Sequence, residues 1–280
     1  MSLVIKENCW KWDSPKGPYF MKYYEDDFVA QKVKSIHRGL KSIKFPYHIA
    51  LEENEEPHIL KQRWFEGESA DYKRFEHQQL SITALQKLHE TNEQINWTDS
   101  RMLTTYRIKE KWMRRFERFV EHERELKRLL KNSYDILVNH AFHSLNSMAQ
   151  FPVHNEKRTI LHGDVVHHNV MVNREEVKLI DFDLACIGEA SDELILWLHR
   201  VLPYVQYDLQ PLLNAHSYLK ITQEKLHYLQ FPNEILRESL FYLKLKDQQK
   251  LACYPFIQSI VYDWLKKRES LAKQIERLQN

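Results

Sequence analysis

The sequence has few cysteines, no long apolar run and almost no net charge, and each absence limits what the protein can be. The three cysteines, Cys9, Cys186 and Cys253, lie far apart without paired spacing, which argues against a disulfide framework and favours a reduced cytosolic protein. No apolar run approaches the roughly 20 residues of a membrane span, and the first four residues lack a signal-peptide pattern. We therefore expect a soluble cytoplasmic protein with no membrane partner.

The charge and the length point to a globular domain that does not bind nucleic acid. A net charge of +2 over 280 residues is too close to neutral to predict a nucleic-acid partner. Trp10, Trp12 and Trp64 fall on predicted strands, where aromatic packing is a more ordinary role than base stacking. The length suits one two-lobed domain with an ample core. The sequence carries no indication of the oligomeric state.

A short hairpin brings two oxygen-bearing side chains together. The β-rich runs 170–172 and 177–180 are separated by the polar turn 173–176, which predicts two antiparallel strands. Asn169 precedes the first strand and Asp181 follows the second, so antiparallel pairing places both at the same end of the hairpin. Mg²⁺ is usually held by one or two carboxylates together with substrate phosphates, and an amide oxygen with a carboxylate fits that requirement. The hairpin therefore predicts a magnesium site.

Asp164 lies in the loop just before this hairpin and can face an incoming hydroxyl group. Phosphoryl transfer needs positioning and charge neutralisation, with one carboxylate to orient the nucleophile or accept its proton. The alternative is that His162, Asp164 and Asn169 only shape a polar turn, while Asp181 caps a strand. The ordered set on one hairpin favours the catalytic interpretation over the structural one.

These residues resemble the catalytic and metal-binding loops of the aminoglycoside phosphotransferase and choline kinase family, which is related to protein kinases. The matching residues are His162, Gly163, Asp164, Asn169, Ile180, Asp181, Phe182 and Asp183. The resemblance implies an α+β, bilobal, protein-kinase-like fold with a small β-rich N-lobe and a large, mainly helical C-lobe. It also implies transfer of the γ-phosphoryl group of ATP to a hydroxyl of a small-molecule acceptor, with ATP and Mg²⁺ as cofactors.

The resemblance assigns a role to each polar residue of the two loops. Asp164 becomes the catalytic base, and Asn169 and Asp181 hold Mg²⁺. His162 becomes a buried support of the catalytic loop, and Asp183 fixes the metal loop through hydrogen bonds.

The residues before the hairpin supply the expected nucleotide site. Residues 9–13, 14–18 and 19–24 have the pattern of a strand, a turn and a strand, and Lys22 lies on the second strand. The resemblance implies that a lysine at this position binds the nucleotide phosphates. An ammonium about 4 Å from a phosphate oxygen contributes roughly 4 kcal/mol at an effective dielectric constant near 20. The alternative is a solvent-facing lysine on an amphipathic strand.

The hinge between the lobes is expected near residues 66–69. The elements between Lys22 and this hinge are predicted to be a helix and two strands, at about 27–43, 48–53 and 58–65. The resemblance implies that backbone groups of Gln62, Arg63 and Trp64 contact the adenine ring. We therefore expect a reduced nucleotide-binding lobe at 1–65. A helical lobe at 66–280 is expected to carry a catalytic loop at 161–169 and a metal loop at 180–183.

Two features depart from the family pattern. No glycine precedes Gly17, although the loop over the phosphates usually contains glycine so that backbone N–H groups can approach them. Lys22 is preceded by 21 residues, so the first strand is expected to be short, reduced or missing. The helix after the lysine also lacks a central glutamate to pair with it. Gln31 occupies that region, and Glu25, Asp26 and Asp27 are candidates to replace the missing acid.

The second half of the chain is predicted to be mostly helical. Apolar residues recur over 102–130 at the spacing of one helix of about eight turns, whose interspersed charges indicate a solvated face. A further helix is predicted at 133–150. Relatives commonly build part of the acceptor pocket in this region, which makes Tyr106, His140 and His143 candidates for it. Later helices are predicted at about 191–204, 209–219, 223–229, 233–246 and 255–278.

The acceptor and two other functions stay open from the sequence. The Lys- and Arg-rich final helix does not favour a polycationic aminoglycoside, whereas choline, homoserine, a sugar or a protein hydroxyl all fit. Residues 229–232 resemble the spore-coat-associated CotS-type branch. The absence of a glycine loop suggests a non-catalytic, kinase-like binding or scaffold protein. A zinc hydrolase built on His162, His167 and His168 with Cys186 is disfavoured by the spacing of these residues.

Overall fold

The computed structural model describes residues 2–52, 56–151, 156–174, 176–217, 219 and 221–278. The strands are β1 (Ser2–Lys6), β2 (Cys9–Ser14), β3 (Gly17–Tyr23), β4 (Ile59–Arg63), β5 (Glu68–Ser69), β6 (Arg158–Leu161), β7 (Val170–Asn173), β8 (Glu176–Leu179) and β9 (Cys186–Glu189). The α-helices are α1 (Asp27–Ser42), α2 (Phe75–Glu90), α3 (Ile108–Glu121), α4 (Glu123–Leu130), α5 (Ser133–Gln150), α6 (Ala190–Val201), α7 (Leu209–Ala215), α8 (Gln223–Leu226), α9 (Asn233–Leu243) and α10 (Asp247–Arg277). This mixture agrees with the predicted α+β class.

The chain forms two compact units, residues 1–106 with 156–193 and residues 107–155 with 194–280. The first contains all of the strands named above, and the second contains α3 to α5 and α7 to α10. The expected lobe boundary between residues 65 and 66 stays a prediction.

An antiparallel sheet in the order β1-β2-β3-β4 carries Lys22. The predicted strand, turn and strand are present as β2 and β3. Ser14 closes their turn, since its hydroxyl accepts the Lys16 N–H at 3.1 Å and donates to the Gly17 carbonyl at 2.9 Å. Gly17 has a φ of 103°, which a residue with a side chain rarely adopts. The strand before β2, expected to be short, reduced or missing, is present as the five-residue β1.

Helix α1 packs against this sheet through one apolar face. Asp26 caps its first turn by accepting the N–H groups of Phe28 at 2.8 Å and Val29 at 3.1 Å, which is the usual role of an acid at this position. The buried residues of the resulting cluster are Tyr24, Ala30, Val33 and Leu60. The helix end at Ser42 lies within one residue of the prediction.

The strand predicted at 48–53 is wrong for the described residues. Only isolated bridges form there, from His48 to Leu179 and from Leu51 to Gln62, and Glu53 lies outside the described residues. The following strand is present but shorter than predicted, as β4.

The predicted hairpin is present as β7 and β8. Its register pairs Val170 with Leu179 and Asn173 with Glu176, while β5 pairs with the other edge of β7. Strand β6 pairs separately with β9. The catalytic loop therefore runs from one small sheet into another, and both of its ends are held by backbone pairing.

The second unit differs from the prediction at several helix boundaries. The long helix expected over 102–130 is divided into α3 and α4 at His122, whose φ of −100° and ψ of 29° are not helical. The last helix was expected to begin at Pro255, but α10 begins at Asp247 and continues through this proline. A proline removes one hydrogen bond and bends a helix without always ending it. Helix α5 matches the prediction, and α6 to α9 end earlier than predicted.

Aromatic side chains form the centre of the second unit. Trp112 of α3 is fully buried, and its ring stacks on Phe231 with centroids 4.8 Å apart. Phe119 lies further along the same helix, and its ring stacks on that of Tyr134 of α5 with centroids 5.4 Å apart. These contacts explain why α3 packs here despite its high charge.

Within the described part of the chain, no helix is both long and apolar enough to cross a membrane. The cytoplasmic location stays a prediction.

The substitution Trp112→Ala is expected to lower the free energy of unfolding by about 3–5 kcal/mol, because it removes a large buried ring and leaves a cavity. Met113, the next residue, is 42% exposed, so Met113→Ala is the matched control and should change stability by less than about 1 kcal/mol. Urea unfolding followed by circular dichroism measures both. Equal effects of the two substitutions would contradict this packing scheme.

Stability is also expected to fall in acid because of two buried histidines. Burial, aided by the charge of His48, lowers the pKa of His37 to about 3, and burial lowers the pKa of His199 to about 4. Protons therefore bind the unfolded chain first, so the free energy of unfolding falls as the pH drops below about 6.5. Between pH 7 and pH 5, the free energy of unfolding should fall by about 2 kcal/mol less in His37→Phe than in the original chain. Urea unfolding at the two pH values measures this. The same fall in the variant and in the original chain would show that His37 is not responsible.

Candidate active site

The catalytic loop passes so close to the metal loop that only glycine fits at its first turn. Gly163 has a φ of 81°, and a Cβ atom added there would lie 2.1 Å from the carbonyl oxygen of Leu184. A backbone atom cannot move out of the way as a flexible side chain can. The absence of a side chain at Gly163 therefore lets the loop containing His162 and Asp164 pack directly against the loop containing Asp181 and Asp183.

A buried carboxylate holds the same turn from the other side. Glu193, in the first turn of α6, accepts the N–H groups of His162 at 3.1 Å and Gly163 at 2.7 Å. His89 of α2 donates to it at 2.8 Å, and Thr159 donates to the His89 carbonyl at 2.6 Å. Burial favours the neutral acid, but the hydrogen bond and charge of His89 outweigh it and lower the pKa of Glu193 below its usual range. Glu193 is thus an ionised anchor of the catalytic loop.

His162 supports the loop from inside, as expected for a buried residue. Its Nε2 lies 2.9 Å from the Ile180 carbonyl, and its ring packs on Phe182 at 4.8 Å. The Nδ1 atom has no partner among the residues that the structure describes. His162 therefore links the strand before Asp181 to the catalytic loop through packing and one hydrogen bond.

Asp164 and Asn169 are in direct contact. The Asn169 amide nitrogen donates to the Asp164 carbonyl at 3.1 Å and to its carboxylate at 3.2 Å. Because the amide nitrogen faces Asp164, the amide oxygen is the atom of Asn169 left to bind a cation. The Asn169 carbonyl accepts the Ile180 N–H at 3.0 Å, which continues the hairpin ladder to this point.

Asp181 leaves β8 in a left-handed conformation, with a φ of 65° and a ψ of 64°. Its carboxylate lies 2.8 Å from the Lys22 ammonium and 3.6 Å from the Lys6 ammonium. Burial alone would raise the pKa of Asp181, but the charge and hydrogen bond of Lys22 lower it below the usual value. The group is therefore ionised and suited to a divalent cation.

Asp183 holds Lys22 from a second direction. Its carboxylate accepts a hydrogen bond from Lys22 at 2.6 Å and from the Tyr24 hydroxyl at 2.7 Å, while its backbone carbonyl accepts from Lys32 at 2.5 Å. Burial and the neighbouring charge of Asp181 raise the pKa of Asp183. Burial and the charge of Asp183 raise the pKa of Tyr24 as well, so the tyrosine acts only as a donor.

Lys22 is the common partner of both acids. Burial would lower the pKa of Lys22, but the charges and hydrogen bonds of Asp181 and Asp183 outweigh burial and raise it. The acids suggested as replacements for a helix glutamate act elsewhere, and Glu25 accepts a hydrogen bond from the Asn8 side-chain amide at 3.4 Å. Asp26 caps α1, and Asp27 lies beside His58. Helix α1 offers Lys32 to this cluster, and the acid that pairs with Lys22 comes from the metal loop.

A cavity of about 270 Å³ contains most of the predicted site residues. We call it the Lys22 cavity. The predicted residues that line it are Lys22, Gln62, Arg63, Trp64, Asn169 and Asp181. Apolar side chains complete it: Phe20, Ile49, Leu60, Met171 and Ile180. Apolar side chains beside charged groups are the combination that a nucleotide needs.

The three predicted adenine contacts differ in what they can offer. The Gln62 side-chain amide donates to the Ile49 carbonyl at 2.6 Å, and the Arg63 side chain pairs with Glu52 at 3.1 Å. The Trp64 N–H is already used by the Pro18 carbonyl at 3.0 Å. A contact from Trp64 to a base would therefore use its carbonyl group. The roles of all three residues stay predictions.

The donor set fits magnesium and gives no support to zinc. One amide oxygen and one ionised carboxylate lie on the same cavity, which is the hard-oxygen chemistry that Mg²⁺ selects. Across the described ranges, no group of three or more His, Cys, Asp or Glu residues could hold a metal ion. The zinc-hydrolase alternative therefore has no ligand cluster there.

The candidate acceptor residues are in ordinary structural positions. The Tyr106 N–H donates to the Ile187 carbonyl at 2.6 Å. His140 lies 3.1 Å from the Gln230 carbonyl and packs its ring on Trp264 at 4.8 Å. His143 contacts the ring of Phe142. Their role in acceptor binding stays a prediction.

Sequence reasoning missed several residues that lie outside the two loops in sequence but support them in the fold: Lys6, Tyr24, Lys32, His89 and Glu193. None of these residues belongs to a motif of fixed spacing, so the sequence contains no local signal for its partner. Tyr24 lies two positions from Lys22, on the same side of the extended chain, and that spacing was the only available hint.

Comparison with known proteins gives both a family and a fold. The model of the phosphotransferase enzyme family, APH, matches residues 37–205, which is more than half of the chain and includes the whole catalytic and metal loops. No curated protein sequence matches the chain.

Three solved structures illustrate the similarity of fold. An aminoglycoside phosphotransferase from Alicyclobacillus acidocaldarius subsp. acidocaldarius DSM 446 has a TM-score of 0.72 at 17% identity, covering 99% of this chain and 92% of that one. The AMP-bound complex of spectinomycin phosphotransferase APH(9)-Ia has a TM-score of 0.70 at 16% identity, covering 94% and 92%. Choline kinase LicA from Streptococcus pneumoniae has a TM-score of 0.58 at 14% identity, covering 97% and 92%. The predicted protein-kinase-like fold is confirmed.

The family match is independent of the geometry around Lys22, and the two agree on the same loops. The chain belongs to the phosphotransferase enzyme family, as the sequence predicted, and its enzyme class is that of a kinase acting on hydroxyl groups.

Proposed function

We propose that the protein transfers the γ-phosphoryl group of ATP to a hydroxyl group of a small-molecule acceptor, with Mg²⁺ as the metal. The observation that carries this proposal is the set of contacts around Lys22. An ammonium, an ionised carboxylate and an oriented amide oxygen line one cavity. A catalytic carboxylate contacts the amide.

Asp164 is proposed as the group that orients the acceptor hydroxyl and accepts its proton. Its position is fixed by Asn169, which donates to both its carbonyl and its carboxylate. The Asn169 amide thereby holds the Asp164 carboxylate next to the proposed metal ligands. A base of this kind contributes through alignment as well as through proton transfer.

Asn169 and Asp181 are proposed to hold Mg²⁺ through one amide oxygen and one carboxylate. When bound, the ion would neutralise charge on the phosphates and help to align them. The protein contributes the fixed spacing of the two ligands. Both lie at the same end of the β7–β8 hairpin, whose ladder continues to the hydrogen bond between Ile180 and Asn169.

Lys22 is proposed to bind the nucleotide phosphates, with Asp183 and Tyr24 as its supports. The Asp183 carboxylate pairs with the Lys22 ammonium. The Tyr24 hydroxyl donates a hydrogen bond to the same carboxylate and holds it in place. Asp181 also contacts Lys22, so a cation held at Asp181 would weaken this ion pair and leave the ammonium more able to bind phosphate. The two acids and the proposed phosphate therefore all interact with the same Lys22 ammonium.

The apolar part of the Lys22 cavity is proposed to hold the adenine ring, with backbone groups at Gln62, Arg63 and Trp64 as hydrogen-bonding partners. Nucleotides occur in structures of similar fold: one neighbour is an AMP-bound complex, and another holds ADP with spectinomycin. These neighbours motivate the proposal for this chain.

The acceptor is proposed to be a small molecule other than a polycationic aminoglycoside. Neighbours are named for aminoglycosides, spectinomycin and choline, so the fold accommodates acceptors of different charge. In this chain α10 ends in a sequence with several lysines and arginines, which repel a polycation. A metabolite library screened for ADP release identifies the acceptor.

A non-catalytic, kinase-like binding protein, including one associated with a spore coat, is the second candidate. The tight turn between β1 and β2, which contains no glycine, favours it, because this is where a phosphate-covering loop would lie. Nucleotide binding separates the two candidates directly.

Mg-ATP is expected to stabilise the protein against heat, whereas ATP without a divalent cation should do so much less. At 100 times its dissociation constant, a ligand adds about 2.7 kcal/mol to the free energy of unfolding. A thermal-shift titration with ATP in magnesium and in EDTA measures this. Absence of any shift at millimolar Mg-ATP would remove the enzyme proposal and leave the binding-protein candidate.

Asp164→Asn is expected to abolish acceptor-dependent ADP release while leaving Mg-ATP binding intact. Loss of an acid–base group lowers turnover by roughly 10²–10⁴-fold, and the substitution keeps the size of the side chain. Asp263→Asn, at an exposed position on α10, is the control and should leave turnover unchanged. Full turnover in Asp164→Asn would show that another group serves as the base.

A further inference from the structure

The turn between β1 and β2 is not built to bind phosphates through its backbone. It has no glycine, and Asn8 holds a φ of 60°. The Asn8 carbonyl accepts the Tyr23 N–H at 2.9 Å, which ties the turn to β3. Backbone N–H groups approach phosphate freely where glycine removes the obstructing side chains. A donor for the phosphate end of the cavity must therefore come from a side chain.

A β-bulge places Lys6 in that position. Regular alternation would put Lys6 on the same face of the sheet as Val4, which is paired with Trp10. The register shifts between Val4 and Lys6, so that Lys6 pairs with Cys9, which in turn pairs with Lys22. Residues directly opposite one another in antiparallel strands share a face. The bulge therefore turns Lys6 to the face that carries Lys22, as bulges commonly re-aim side chains at functional sites.

Lys6 and Lys22 lie on the two sides of Asp181. The Lys22 ammonium contacts one carboxylate oxygen at 2.8 Å and the Lys6 ammonium contacts the other at 3.6 Å. Both lysines line the Lys22 cavity. Their exposure differs, since the Lys6 side chain is 62% exposed and that of Lys22 is 13% exposed. Lys6 is therefore the solvent-exposed cation of the cavity, and Lys22 is the buried one.

We propose that Lys6 is a second phosphate-binding residue, whose ammonium replaces the backbone donors of a glycine loop. This inference rests on the proposed ATP-dependent function and adds a residue to it. A divalent cation held at Asp181 would compete with Lys6 for this carboxylate and repel its ammonium. The ammonium of Lys6 would then be able to pair with a phosphate group in the same cavity.

The other nearby lysine does not fit this role. Lys32 donates to the backbone carbonyl of Asp183, and it does not line the cavity. Lys6 has a long, flexible side chain with three donors and only a weak ion pair at 3.6 Å. It can follow a phosphate without breaking a strong contact.

Isothermal titration calorimetry of Mg-ATP and of adenosine tests the proposal in the full chain. Lys6→Met should weaken Mg-ATP binding roughly tenfold, near the lower end for a charge-assisted hydrogen bond because the ammonium is exposed. Adenosine affinity should stay the same, since adenosine has no phosphates. Lys6→Arg should restore most of the affinity for Mg-ATP. Lys16→Met, at an exposed lysine outside the cavity, is the matched control and should bind both ligands as the original chain does.

The outcomes separate this inference from the proposed function. Equal Mg-ATP affinity in Lys6→Met and the original chain overturns the role of Lys6 alone. An equal loss of adenosine and Mg-ATP affinity also overturns it, because that pattern indicates a disturbed β1. If the original chain binds adenosine but gains no affinity from the triphosphate, both the inference and the proposed ATP-dependent function fail.

Discussion

The ion pairs of Lys22 are the interactions on which the rest of the site depends. One ammonium is held by Asp181 at 2.8 Å and by Asp183 at 2.6 Å, and it joins the first sheet to the metal loop. Without this cation, two adjacent carboxylates would repel each other in a partly buried place, which is costly unless they are paired. The same cation is suited to phosphate. The ion pairs thus stabilise the two carboxylates and hold the ammonium at the cavity where the nucleotide is proposed to bind.

The catalytic loop is fixed by a second, independent set of constraints. Gly163 allows a backbone approach that no side chain could tolerate, and the buried carboxylate of Glu193 accepts two of the loop's N–H groups. His89 keeps that carboxylate ionised. Asp164 is therefore positioned by backbone contacts and by Asn169, and it does not depend on Lys22 for its place. The proposed base and the proposed metal ligand Asp181 are thus held by different contacts.

The sequence predicted what is local and missed what is distant. The β7–β8 hairpin, the end of α1 and the strand carrying Lys22 follow from residue patterns within a few positions. The contacts of Glu193 with His89 and of Asp183 with Tyr24 join residues more than one hundred positions apart, and no spacing rule encodes them. The break at His122 has no proline or glycine to announce it, and Pro255 was given too much weight as a helix start. The bulge that turns Lys6 inward likewise reverses the face that simple alternation predicts.

The central claim is that Asn169 and Asp181 jointly hold one divalent cation beside a nucleotide in the Lys22 cavity. The most direct measurement is a crystal structure with Mn²⁺ and a non-hydrolysable ATP analogue, in which anomalous scattering locates the metal. The account predicts one metal peak within about 2.5 Å of both the Asn169 amide oxygen and an Asp181 carboxylate oxygen, with the phosphates next to Lys22. A metal bound elsewhere, or a nucleotide outside this cavity, would contradict it.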